Sequence, residues 1–385
     1  MNNSVKKSYK IDYIISLAVF AQSLFIILQQ IMISVMGMEK ESTTIYRVLF
    51  SGTAMGLAIF YSFKRKPLLF IKVYFIVSVI LLMNVILFPH NTIYLEQEAF
   101  RFFLPMVIPS ALCLMTVDCI DILEKALYYI SWITFIFVLL YCISFFMGIF
   151  SFEGYSMAFS YGCLLPMVGL YRRKEKLAIL ASMLMLFIVL AIGSRGAAIV
   201  FVVYVVYDII QSNKKYIGLL VVIFILLSLL LPFLIDWLDS IGISSRTLTL
   251  LINGELDSDS GRRDIYNMYL NLIKTYPFGL GLWGDRTILE GSYCHNFFLE
   301  LIVDFGYLGG SFIILLCSLL LFKIYIYSNK YNKNRLICYL MVIIGPSMVS
   351  GSYLIDYNFG AFCGILYLIY RDNIRRKRNK MMLSD

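Results

Sequence analysis

The chain has 385 residues, 60% hydrophobic and 15% charged, with a formal net charge of +9 and a mean hydropathy of +0.81. A soluble domain is about 45–50% apolar and about 25% charged. A water-soluble enzyme with a polar skin is therefore excluded, as are a disordered chain and a collagen-like one. The composition fits a single all-α, polytopic membrane domain over residues 1–385, because a spanning helix takes roughly 20 apolar residues.

Lys6, Lys7 and Lys10 open the chain ahead of the first apolar run. That run is too long for a signal peptide and no small-residue cleavage site closes it, so it reads as an uncleaved first span. Twelve spans are predicted, at about 12–35, 48–63, 67–88, 101–117, 127–149, 155–171, 177–193, 196–211, 216–235, 297–322, 336–353 and 357–370. Residues 371–385 form a basic tail.

Lysine and arginine set the orientation. With both termini in the cytoplasm, the inner side holds Lys64-Arg65-Lys66, Lys72, Lys125, Arg172-Arg173-Lys174, Lys176, Lys214-Lys215, Lys323, Lys330, Lys333, Arg335 and the basic residues of both ends. The outer side holds only Lys40, Arg47, Arg101, Arg195, Arg246, Arg262, Arg263, Lys274 and Arg286. An even span count keeps both basic termini inside. Arg47, Arg101 and Arg246 read as interfacial side chains that snorkel to water.

The cysteines are Cys113, Cys119, Cys142, Cys163, Cys294, Cys317, Cys338 and Cys363. They lie scattered, mostly in apolar runs, with no CxxC pair. They read as packing residues rather than as a disulfide or metal framework.

Residues 236–296 form one large loop on the outer side. Asp257-Ser258-Asp259-Ser260-Gly261 is turn-rich and leads into Arg262-Arg263. Ile265, Met268, Tyr269, Leu272 and Tyr276 then recur at helical spacing, which predicts an amphipathic helix over about 262–276 on or near the bilayer surface. Pro277 ends it, and Phe278-Gly279-Leu280-Gly281 forms a tight turn. Asn296, Glu300 and Asp304 follow at spacings of four, on one face of the tenth span. Two carboxylates on an apolar helix belong against a cationic partner, a water-filled acceptor cavity, or the headgroup zone. Asp257-x-Asp259 lacks further ligands nearby, so no metal site is expected.

Ser194-Arg195-Gly196-Ala197, Gly261-Arg262, Pro277-Phe278-Gly279-x-Gly281, His295-Asn296-x-x-Leu299-Glu300 and Gly306-x-x-Gly309 occur in that order. Together they resemble the O-antigen ligase and O-antigen polymerase (Wzy-type) superfamily of bacterial membrane glycosyltransferases. The resemblance covers about 195–310. It implies a GT-C-like helical membrane fold, an undecaprenyl-diphosphate-linked oligosaccharide as donor, and no cofactor or nucleotide. Its recurrent arginines and histidine correspond to Arg195, Arg262 and His295, and Arg263 and Arg286 are further candidates.

Those residue types suit the implied chemistry. A diphosphate leaving group gains negative charge as its glycosidic bond breaks. Arginine meets that charge with a permanent cation and forked donors. Arg195, Arg262, Arg263 and Arg286 are the expected diphosphate ligands. The acceptor is a sugar hydroxyl, and a general base is worth roughly 10²–10⁴-fold. His295 either takes that proton or donates a hydrogen bond to the phosphate, and Glu300 either competes as the base or orients His295. The other histidine, His90, has no supporting motif.

The resemblance implies an enzyme of the bacterial inner membrane with an outward-facing site, acting on membrane-lipid-linked glycan, with a chain-length regulator as a further partner. No nucleic acid is expected. The favoured activity is polysaccharide polymerase, of O-antigen, capsule or exopolysaccharide. A ligase moving finished glycan to lipid A core or protein shares the chemistry. A secondary transporter would show an internal repeat, and none is seen.

Overall fold

A computed structural model describes residues 3–150, 156–192, 194–212 and 262–382, with isolated positions at 233, 237 and 240. The described residues hold only helices, turns, bends and one isolated bridge position. Most of the predicted span at 216–235, most of the loop at 236–261, and Asp257 and Asp259 lie outside them.

In chain order the helices are α1 (Asn3–Ser34), α2 (Lys40–Arg65), α3 (Pro67–Leu87), α4 (Pro89–Thr116), α5 (Ile120–Phe146), α6 (Met157–Tyr171), α7 (Lys176–Ile192), α8 (Arg195–Ser212), α9 (Arg262–Thr275), α10 (Gly284–Ile288), α11 (Phe297–Tyr327), α12 (Lys330–Tyr339) and α13 (Tyr357–Met382). Six of the described helices are long and apolar enough to cross a membrane: α1, from Lys7 onward, α2, α3, α4, α5 and α11. α6, α7 and α8 are shorter apolar helices. Their large exposed side chains, such as Leu68, Phe75 and Ile86 on α3 or Phe312 and Leu319 on α11, suit a lipid solvent rather than water.

Three elements differ from the sequence expectation, each for a physical reason. The fourth span, expected from residue 101, starts at Pro89. It runs through a wide π-helical stretch, Leu95–Val107, that contains Pro105. Proline supplies no amide donor and crowds the preceding turn, which the wider winding relieves. Glu96 and Glu98 interrupt the hydropathy there without breaking the helix. The eleventh span, expected over 336–353, is α12 continued by a π turn, Leu340–Ile344, and a single α turn, Gly345–Ser347. The tail, expected as a separate segment after 370, is instead the second half of α13. Basic residues are good helix formers and are favoured near a helix C-terminus.

The chain forms two compact units. One is Met1–Val19, Met55–Ile122 and Asp259–Asp385; the other is Phe20–Ala54 and Leu123–Ser258. In the first, one end is tied by buried charge. Asp12 pairs with Arg65 and also accepts the backbone N–H groups of Asp118 and Cys119, at 2.9 and 3.2 Å. Arg335 pairs with Asp121 there, and Arg371 donates to the Val117 carbonyl. In the second unit, α6 is buried along most of its length and packs on α7 and α8. A Cβ at Gly169 would fall 2.3 Å from Ser131 Oγ, so α5 and α6 touch closely there. Arg172–Glu124 and Lys174–Asp208 ion pairs close its basic end.

Candidate active site

The first unit builds a polar cluster around one strap, the segment from α9 to the start of α11. α9 forms where the amphipathic pattern predicted it. Its apolar face meets protein: Ile265, Met268 and Leu272 pack around buried Tyr269, Cys294, Leu299 and Val303. Only Tyr276 of the predicted stripe is exposed. The stripe is thus covered largely by α11 and the strap.

The glycines after Pro277 explain themselves in contact with α11. That helix breaks at Gly306, whose φ of 74° lies in the left-handed region. A kink frees carbonyls in the turn before it. The strap takes them up: Leu280 N–H donates to Val303 O at 2.8 Å, and Gly281 N–H to Asp304 O at 3.0 Å. The approach is backbone on backbone. A Cβ at Gly306 would sit 2.1 Å from the Pro277 carbonyl, and one at Gly279 would sit 2.3 Å from Gly306 N. Gly306→Ala should therefore lower stability by about 2 kcal/mol or more through combined strain and overlap. Gly56→Ala, in open space on α2, should leave the thermal midpoint unchanged or higher. Equal midpoints for the two variants would contradict this account of the kink.

Two buried asparagines hold the same turn from the other side. Asn84 Nδ2 donates to Leu282 O at 3.3 Å and its Oδ1 accepts Leu282 N–H at 2.7 Å. Asn91 Nδ2 donates to Leu280 O at 2.7 Å and Leu282 O at 3.1 Å. Trp283 is wholly buried between them and the next cluster, edge-on to Phe103.

Arg286 on α10 is the centre of the site and is fully buried. Nη1 donates to Asp285 Oδ1 and Glu300 Oε1, both at 2.6 Å. Nε donates to Glu98 Oε2 at 3.1 Å, and Nη2 to Ser352 Oγ at 2.7 Å. Burial alone would weaken its hold on the proton, but Asp285, Glu300 and Glu98 outweigh that and keep the guanidinium well above its usual range. Glu300 is closed in completely: Ser352 Oγ donates to one oxygen and Tyr353 N–H to the other at 3.2 Å. Tyr353 OH donates to Asp304. Cys294 N–H caps Asp285 Oδ2 at 3.1 Å, and Tyr269 OH donates to the Asp285 carbonyl at 3.0 Å. The spacing of Glu300 and Asp304 thus finds both a cation and hydroxyl donors.

The histidine stands at the edge of this cluster. The Arg286 guanidinium lies 5.5 Å from the Tyr293 ring centroid, and that ring lies 4.3 Å from the His295 ring. Tyr293 is fixed by its OH on Ser350 O at 2.9 Å. His295 is half-buried and takes a left-handed φ of 55°, a conformation that costs a non-glycine residue about 1–2 kcal/mol. Asn296, at the start of α11, has a local role as well. Its Oδ1 accepts Phe298 and Leu299 N–H at 3.0 and 3.1 Å, so it caps α11.

In the second unit, the backbone at Ser194–Gly196 starts α8 against α6. Ser194 N–H donates to Ser160 Oγ at 2.6 Å, and a Cβ on Gly196 would lie 2.4 Å from Tyr161 OH. The side chains of Arg195, Arg262 and Arg263 lie outside the described residues, although their backbones begin α8 and α9. His90 is exposed in the short turn before Asn91. Among the described residues no group of His, Cys, Asp or Glu has the arrangement of a metal site.

Sequence reasoning missed Glu98, Asp285, Ser352 and Tyr353, and also Asn84 and Asn91. The available signal was polar side chains inside or beside apolar runs, most plainly Asn84 within 67–88.

Fold and site together define a helical membrane protein with a charged, buried cluster beside the segment that joins α9 to α11. Residues 180–314 match the family model described as O-antigen ligase (Wzy_C), in keeping with the Wzy-type O-antigen ligase and polymerase superfamily. Enzymes of that family are glycosyltransferase-like. No curated protein matches the chain.

Proposed function

We infer that the protein is a polysaccharide polymerase of the bacterial inner membrane, with twelve spans in a GT-C-like arrangement, both termini cytoplasmic and its active site facing outward. It transfers a growing glycan from an undecaprenyl-diphosphate donor to a sugar hydroxyl of a lipid-linked repeat unit. The observation that supports this most is the family match over 180–314, which contains Arg195, Arg262, Arg286 and His295.

In this reading Arg195 and Arg262 meet the departing diphosphate, with Arg263 assisting. Fixed donors aimed at developing charge are worth about 2.7–4 kcal/mol each. His295 accepts the acceptor hydroxyl proton. Its half-buried place at the edge of the cluster leaves a face for substrate. Arg286 and Glu300 are bound to one another and enclosed, which favours a positioning role over direct contact with diphosphate or acceptor. Arg286 holds Tyr293, and Tyr293 holds the His295 ring. A ligase acting on lipid A core or protein would use the same residues and differ only in acceptor.

The test is reconstitution of the purified protein in liposomes with defined lipid-linked repeat units, followed by sizing of the product. A ladder of lengthened, still lipid-linked glycan is expected, unchanged by EDTA. Transfer only to a non-repeat acceptor would support the ligase reading, and no transfer to any acceptor would overturn both. Complete loss in EDTA, restored by a divalent ion, would contradict the metal-independent step.

A further inference from the structure

α11 ends beside the basic second half of α13 and is joined to it where Asn373 Nδ2 donates to Ser328 Oγ at 2.7 Å. Between them lies a cavity of about 690 Å³. Lys323, Arg376 and Lys377 give it three cations, while Tyr327, Tyr370 and Ile374 give it an apolar and aromatic wall. Arg376 is oriented by Asp372 through Nε at 2.8 Å, and Asp372 is itself held by Asn332 Nδ2 at 2.8 Å. One of the three cations is therefore held in place, and the charge balance of the lining is positive.

Its place in the fold selects the ligand. Next to it, α11 presents Leu315, Leu316, Leu319, Leu320 and Phe322 on its exposed surface. These side chains lead along the helix to Lys323, so an acyl chain lying on them ends where the cations begin. Tyrosines at this level match the amphipathic belt of a membrane interface. Basic pockets between helices at such an end suit anionic headgroups. A free phosphate would use the cations and leave the apolar wall without a role.

We propose that this cavity is a binding site for an anionic phospholipid, with the phosphodiester among Lys323, Arg376 and Lys377 and the acyl chains along α11. By the positive-inside reading it samples the cytoplasmic leaflet. The proposal does not rest on the transferase reading; it requires only that α11 spans the bilayer.

The test is native mass spectrometry of the full-length protein in detergent, titrated separately with phosphatidylglycerol and phosphatidylcholine. Phosphatidylglycerol should bind at one site about tenfold or more tighter. The variant Lys323→Gln, Arg376→Gln, Lys377→Gln should bind the two lipids equally. A control with the same charge change elsewhere, Lys64→Gln, Lys330→Gln, Arg378→Gln, should keep the preference. Inorganic phosphate at millimolar concentration should not displace the lipid. The proposal is overturned if the wild-type protein shows no preference, if both triple variants behave alike, or if inorganic phosphate competes.

Discussion

Replacing Arg286 with Met should lower the thermal midpoint steeply and cut the yield of inserted, monodisperse protein. Asp285 and Glu300 are buried with the guanidinium, and Glu98 is nearly so. A buried ion pair adds little net stability when compared with an apolar replacement of the whole set. Removing one partner is a different matter, because the remaining charges stay in a medium that cannot solvate them. The expected loss is about 3–5 kcal/mol.

Two further variants separate this mechanism from simple loss of packing. Arg286→Lys keeps the charge but replaces a planar fork reaching four partners with a point donor, so it should fall between wild type and Met. Adding Glu300→Gln to Arg286→Met removes one of the stranded carboxylates and should recover part of the midpoint. A midpoint unchanged by Arg286→Met would show that the cluster is not held by this cation.

Changes at the residues proposed to react should behave in the opposite way, with stability kept and product lost. Arg195→Ala and Arg262→Ala are each expected to reduce transfer by about 10²–10³-fold. Loss of His295 should reduce it by roughly 10²–10⁴-fold. Its left-handed backbone makes asparagine the cleaner substitute, because asparagine tolerates that conformation and alanine does not. Wild-type product lengths from His295→Asn would remove the histidine from the mechanism. A folded but inactive His295→Asn beside a poorly folded Arg286→Met would divide the chemistry from its scaffold.

The elements were legible where composition changes abruptly along the chain. Basic breaks such as Lys64-Arg65-Lys66 mark the joint of α2 and α3, and the pattern from Ile265 to Leu272 fits α9. The Pro277-to-Gly281 turn was legible as a turn, but its purpose was not. That purpose lies at Gly306, in another helix, where two backbones meet. The site was legible only in part for the same reason. Glu300 and Asp304 announced that they needed partners, yet Arg286 finds Glu98 across 188 positions and Asn84 finds Leu282 across 198. No local periodicity records such pairings. The enclosure of Arg286 was also invisible: an arginine in an outer loop reads as available to a substrate until its carboxylates are seen.

The sidedness of the strap tests the account most directly, since the proposed lipid-diphosphate donor and sugar acceptor would meet only on the face where glycan is assembled. Single cysteines at Lys274, exposed on α9, and at Lys330, exposed at the start of α12, can be placed in a background without reactive native thiols. In intact cells a membrane-impermeant maleimide should label Lys274→Cys and should reach Lys330→Cys only after permeabilisation. Protection of Lys274→Cys together with free labelling of Lys330→Cys would put the histidine and its arginines in the cytosol and contradict the proposed reaction.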